Sequence, residues 1–176
     1  MNKERFVTLS LIILAAAASR LLPHPANVTP ITAIALFAGA KFERKWLAFA
    51  VPLLAVLLSD AIIGFYSHMW VTYLAFALVV CIGFTLKNSS QRFAPIAGAT
   101  LAGSVTFFLV TNCALLMNPG LYEANWNGVV ESYVAGLPFF RNSLIGDAFY
   151  STLLFGGFAL AEKKFGWLRV NPMATA

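Results

Sequence analysis

Long apolar runs, separated by short polar clusters, dominate the chain. Six can be marked: Phe6–Leu22, Ile31–Phe42, Trp46–Tyr66, Trp70–Leu86, Phe93–Met117 and Asn142–Ala161. A helix needs roughly 20 apolar residues to cross a hydrocarbon core of about 30 Å. The third, fifth and sixth runs reach that length, and the first and fourth nearly do. The second is too short to span unaided, so irregular chain packed within the protein must precede it. The segment "PHPANVTP" (Pro23–Pro30) supplies three prolines for that purpose. Non-helical backbone at membrane depth persists only where protein or a water-filled cavity covers it, which makes this segment a candidate cavity lining.

Composition agrees with the pattern. Of 176 residues 60% are apolar and 11% charged, with mean hydropathy +0.78, whereas soluble domains are nearer half apolar and a quarter charged. The expected fold class is an all-α integral membrane protein, six transmembrane helices in one bundle, with 1–176 as a single domain. The net charge of +5 forms no patch, which argues against nucleic acid as a partner; the partner implied throughout is the lipid bilayer. The opening "MNKERFVTLSLIILAAAASR" imitates a signal peptide, with an A-x-A site at Ala16–Ala18, and is read as the first transmembrane helix.

Charge sets the orientation. With the N-terminus cytoplasmic, ten of the twelve Lys and Arg residues fall at inner helix ends, and only Arg20 and Arg141 lie toward the other face. This positive-inside bias places both termini in the cytoplasm. Asp60, His68, His24, Asn27, Asn118, Glu123, Asn127, Glu131, Arg141, Asn142 and Asp147 then fall in the outer half. The 24-residue connection Asn118–Arg141 is long for a structureless loop, and such loops are commonly functional. Its aromatics (Tyr122, Trp126, Tyr133, Phe139, Phe140) suit an interface or a fold back over a cavity. Small residues four apart (Ala15/Ser19, Ala35/Gly39, Gly98/Ala102, Ala99/Gly103, Gly157/Ala161) suit close helix approach. No internal repeat suggests an inverted-repeat transporter.

The polar set fits a one-sided pocket with a few placed polar groups. No G-x-S-x-G, H-E-x-x-H or Asp-rich prenyl-binding motif is present, which disfavours the alternative of a membrane-embedded enzyme or metal-dependent modifier of a lipid-soluble or corrinoid substrate. Asp60 needs a counter-charge, from Arg141 or Arg20, because ionisable groups inside a membrane usually pair. Asp147 is six residues from Arg141 and so does not share its helix face; it caps or pairs with another helix. Tyr73 is a pocket wall or an interfacial tyrosine. His68 is read as ending the third helix, eight residues after Asp60 and on roughly the same face. Imidazole is a good ligand for a transition metal. Cys81 is expected deep in the fourth helix as a small apolar residue, and Cys113 near the outer end of the fifth; neither cysteine has disulfide or metal-motif spacing.

"SRLLPHPANVTPITAIALFAGAKF" (Ser19–Phe42), "LLSDAIIGFY" (Leu57–Tyr66) and "AGLPFFRNSLIGDAFYSTLLFG" (Ala135–Gly156) resemble small bacterial six-helix membrane proteins similar to the S-components of energy-coupling-factor (ECF) vitamin transporters. Among these, the solitary cobalamin-uptake (BtuM-like) type is the nearest functional match. The resemblance implies an S-component-like bundle in the bacterial inner (cytoplasmic) membrane, binding a vitamin at the outer face beneath the loops after helices 1, 3 and 5. The ligand it implies is cobalamin or a related corrinoid, with no cofactor of the protein's own. An ECF-type ATPase and coupling module, or facilitated diffusion followed by trapping, would drive uptake. In the cobalamin type a side chain near the loop after the third helix, typically cysteine, ligates cobalt. Here that loop offers His68, with Cys81 and Cys113 as rival ligands. The expected substrate-binding set is His68, Asp60, Tyr73, Arg141, Asn142, His24, Asn27 and Trp126.

Overall fold

The computed structural model describes residues 1–115, 121–123 and 125–169, and these form an all-helical bundle. Helix α1 (Lys3–Ala18) begins at Asn2, whose side chain accepts the Arg5 amide, and runs into a short 3-10 turn at Ser19–Leu21. The prolines of Pro23–Pro30 then hold the chain irregular, with Asn27 in the left-handed region (φ 63°). Four helices follow: α2 (Ile31–Lys41), α3 (Lys45–Ile63), α4 (Met69–Phe84) and α5 (Phe93–Leu115). Helix α6 (Trp126–Ser151), a π-helical stretch (Thr152–Gly156) and α7 (Gly157–Lys164) form one continuous helix of 39 residues.

Among the described residues three helices are long and apolar enough to cross a membrane: Lys45–Ile63, Phe93–Cys113 and Trp126–Lys164. The surface carries large exposed apolar side chains, including Leu54, Leu58, Ile62, Leu101, Phe149 and Leu160. Each Å² of such surface costs about 25 cal/mol in water, and so many exposed large apolar side chains suit hydrocarbon instead.

Helix α2 is the centre of the bundle. All eleven of its residues are buried, because α1, α3, α4, α5 and α6 all pack around it. Its sequence, "ITAIALFAGAK", is apolar on every side, the pattern of a helix with no solvent-facing edge. Phe37 fixes the α7 side through edge-on contacts with Phe155 and Phe158, both at 5.4 Å. On the α4 side two glycines cross: a Cβ on Gly39 would lie 2.3 Å from the Val80 carbonyl oxygen, and one on Gly83 would lie 2.5 Å from that of Leu36. The backbones touch there, as small residues allow in helix packing without a hydrophobic drive. Of the small-residue pairs expected from the sequence, Ala35/Gly39 and Ala99/Gly103 lie against neighbouring helices, whereas Gly98 and Gly157 face open space.

Two expected boundaries need correction. Helix α3 stops at Ile63 because Gly64 takes φ 112°, so His68 does not end the third helix; it is the N-cap of α4, with φ 60°. The stretch expected as a loop, Asn118–Arg141, is helical from Trp126 onward, while Asn118 lies outside the described residues. Asn125 starts that helix by accepting the Gly128 amide at 3.0 Å. Asn127, Glu131 and Ser132 interrupt the apolar run without interrupting the helix, since hydropathy measures immersion and not backbone state. Pro138 removes one N–H donor, yet the helix runs through it. At about 1.5 Å per residue the rod is about 58 Å long, against a hydrocarbon core of about 30 Å, so its first turns extend past the span.

The two ends of the bundle differ chemically. Near its first turn α1 brings Arg5 to Glu162 of α7, and the last residue of α2, Lys41, reaches the same carboxylate. This basic end holds ten of the twelve Lys and Arg residues but only three of the seven acids, Glu4, Glu43 and Glu162. The far end holds Arg20 and Arg141 with the other four acids.

Candidate functional site

A cavity of about 550 Å³ opens at the far end. One wall is α5, through Ser104, Phe107, Phe108, Thr111 and Asn112; the facing wall is α6, through Gly136, Phe139, Phe140, Ser143 and Asp147. Both sets repeat at three- and four-residue spacings, so each is one helix face. The irregular segment before α2 contributes Asn27 and Thr29, and Tyr66, Thr72 and Tyr122 complete the rim. Aromatic walls with a few amides and hydroxyls are what small-molecule sites generally show, and the volume lies in their usual range of roughly 300–1,000 Å³.

The wall is built tightly. Phe108 stacks on Phe140 at 4.5 Å between centroids and meets the Tyr133 edge at 5.7 Å. Asn112 is buried, its amide donating to the Phe108 carbonyl at 2.8 Å while its Oδ1 turns toward Gly136. A Cβ on Gly136 would come within 2.6 Å of that oxygen. Asn142 donates to the Ala26 carbonyl at 3.0 Å, tying the proline-rich segment to α6. Gly146 lets the same segment approach closely, since a Cβ there would lie 3.0 Å from Val28 Cα.

Asp147 is the polar group of greatest consequence in the lining. It is 3% exposed, and Ser104 Oγ donates to its Oδ2 at 2.6 Å. Among the described residues no ion pair involves it. A carboxylate removed from water is costly unless paired, and here the partners are the hydroxyls of Ser104 and Thr32.

Asp60 has a different setting. Arg20 Nη2 lies 2.7 Å from its Oδ1, with side-chain exposures of 9% and 1%, and Tyr73 Oη donates to its Oδ2 at 2.7 Å. Arg20 also donates to the neighbouring Ser59 hydroxyl. The counter-charge is therefore Arg20; Arg141 is exposed on α6. Asp60 and Tyr73, expected as substrate-binding residues, meet each other, but neither lines the cavity, which this cluster meets through Arg20.

The other expected site residues are scattered. Asn27 lines the cavity and Asn142 supports it. His24 is exposed, with Nδ1 3.0 Å from the Pro25 carbonyl. Trp126 is exposed at the start of α6, and His68 is half-buried at the start of α4; neither lines the cavity. Cys81 is exposed on the flank of α4 rather than packed inside, and Cys113 is exposed with its Sγ 3.1 Å from Tyr133 Oη. Among the described residues no three His, Cys, Asp or Glu side chains cluster to hold a metal ion. His68 lies at the start of α4, outside the cavity lining. The residues that sequence reasoning missed are Ser104, Phe108, Thr111 and Asn112. Their i, i+4, i+7, i+8 spacing inside the fifth apolar run was the available signal.

Residues 1–172 match the model of DUF6580, described as a family of unknown function, and the chain belongs to that family. No curated protein and no solved structure matches it.

Proposed function

We propose that this protein is a membrane-embedded binding protein for a small solute, of the S-component type, which captures a vitamin-like ligand from the outer face for uptake. The observation that carries this reading is the cavity at the weakly charged end, walled by aromatic faces of α5 and α6 and floored by Asp147. The bias of Lys and Arg toward the opposite end supports an outward-facing cavity, six spans and two cytoplasmic termini. Location in the bacterial inner membrane, and an ECF-type module as energising partner, follow from the resemblance alone.

Cavity size bears on the ligand. A volume of about 550 Å³ suits a vitamin of one or two rings better than a corrinoid with its nucleotide loop. His68, the proposed cobalt ligand, would have to act from outside the lining. The reading favoured here is therefore the smaller vitamin, with cobalamin as the larger candidate. An enzymatic role draws less support, because both histidines, His24 and His68, lie outside the lining and Ser104 has only a carboxylate beside it.

Native mass spectrometry of protein purified from cells grown with a vitamin mixture tests the reading. A retained adduct of single-vitamin mass supports it, and an adduct of corrinoid mass restores the cobalamin form. Turnover of a lipid by the pure protein, with no adduct, would overturn it.

A further inference from the structure

A second cavity, about 930 Å³, lies at the basic end and is unused by the proposed function. Five cations line it, Arg5, Lys41, Lys87, Arg92 and Arg169, against two carboxylates. Both carboxylates are already engaged. Glu43 meets the N-terminal ammonium. Glu162 is shared by Arg5 at 2.9 Å, Lys41 at 3.4 Å and the Gln91 amide at 3.1 Å.

Arg5 and Lys41 are 2% and 5% exposed, so two buried cations depend on one carboxylate. The Phe158 ring lies beneath both, 5.2 and 5.1 Å away, and offsets part of the excess. Arg169 is held in place by the carbonyls of Glu162 and Lys163, which orient it without neutralising it. Above this floor, the turn "KNSSQR" (Lys87–Arg92) adds Ser89 and Ser90 hydroxyls and the Asn88 and Gln91 amides to two further cations. Cations beside hydroxyl and amide donors match the oxygens of a phosphate group.

We propose that this pocket is a binding site for a phosphate group, supplied either by the headgroup of an anionic lipid or by a soluble phosphate compound. Positive-inside bias explains exposed Lys and Arg flanking the spans. It does not require two of them buried under a cavity with one shared carboxylate. Basic pockets between helices on the cytoplasmic side are known receptors for anionic headgroups. The inference is independent of the ligand at the far end.

The test uses the full chain in detergent. Native mass spectrometry in an equimolar mixture of phosphatidylglycerol and phosphatidylcholine reads lipid preference, and calorimetric titration with inorganic phosphate reads the free anion. Wild-type protein should retain phosphatidylglycerol selectively, bind phosphate, or both; lipid selectivity without phosphate binding assigns the headgroup, and phosphate binding without lipid selectivity assigns the soluble compound. Lys87→Gln with Arg92→Gln, both outside the buried ion network, should weaken that binding about thirtyfold, as roughly 1 kcal/mol for each basic residue implies. A control pair, Lys3→Gln with Lys45→Gln, removes the same charge from the same end but outside the pocket and should weaken it far less. Equal loss in both pairs would mean diffuse surface potential and would overturn the site, as would the absence of both anion preferences in the wild-type protein.

Discussion

Asp60 and Asp147 are both buried carboxylates at the same end of one bundle, yet their surroundings assign them opposite roles. Asp60 is charge-paired: Arg20 neutralises it, Tyr73 donates to it, and it is absent from the cavity lining. Asp147 borders the cavity with two hydroxyls for company and no described ion pair. A paired charge ties the turn after α1 to α3 and α4, whereas an unpaired one beside open volume remains available to a ligand. The charge of the partners, more than burial itself, separates a structural acid from a binding one.

That contrast can be broken most forcefully at Arg20. Arg20→Ala strands the Asp60 charge, and removing one partner of a buried pair costs about 3–5 kcal/mol. A large fall in thermal unfolding temperature in detergent is expected, and Arg20→Ala with Asp60→Leu should recover most of it. Wild-type stability in the single variant would show that Asp60 is not held by this pair.

Asp147→Asn should behave differently. The amide oxygen still accepts from Ser104, so stability should change by less than about 1 kcal/mol. Ligand retention should fall at least about tenfold, the loss of one charge-assisted contact. If instead Asp147→Asn unfolds as readily as Arg20→Ala, both acids are structural and the contrast disappears.

Tyr73→Phe removes one donor from Asp60 while Arg20 remains, so a loss near 1 kcal/mol is expected from the unfolding temperature, with retention unaltered. The smallest effect is expected at His68. His68→Asn keeps a residue that tolerates the left-handed backbone there, and neither stability nor retention of a small vitamin should move. Loss of a corrinoid absorption band in that variant would return the metal-ligand role to His68.

Much of the fold was legible because membrane immersion writes itself as long apolar runs. The irregular chain before α2 followed from its three prolines and from the shortness of the next run. The central position of α2 did not, since a short run apolar on all sides looks alike whether lipid or protein covers it. The early start of α6 was hidden because polar residues in its first turns resemble a loop. At the site, Asp60 and His68 drew attention as conspicuous polar residues near a helix end. Ser104 and Thr111 were less visible because hydroxyls barely lower hydropathy, Asn112 because one amide does not interrupt a long apolar run, and only their spacing marks a shared face. Asp147 is read from the sequence as a cap or a partner of another helix; its contacts are with Ser104 of α5 and Thr32 of α2, and that it borders a cavity depends on packing that no single run encodes.

The central claim is that the cavity faces outward and receives a solute. It is tested most directly by Thr111→Cys in a background carrying Cys81→Ala and Cys113→Ala, with a membrane-impermeant maleimide applied to intact cells. Thr111→Cys should label from outside, and preincubation with the vitamin identified as the retained adduct should slow the labelling. Lys87→Cys in the same background should label only after the cells are permeabilised. Labelling of Lys87→Cys in intact cells, with Thr111→Cys reached only after permeabilisation, would contradict the account.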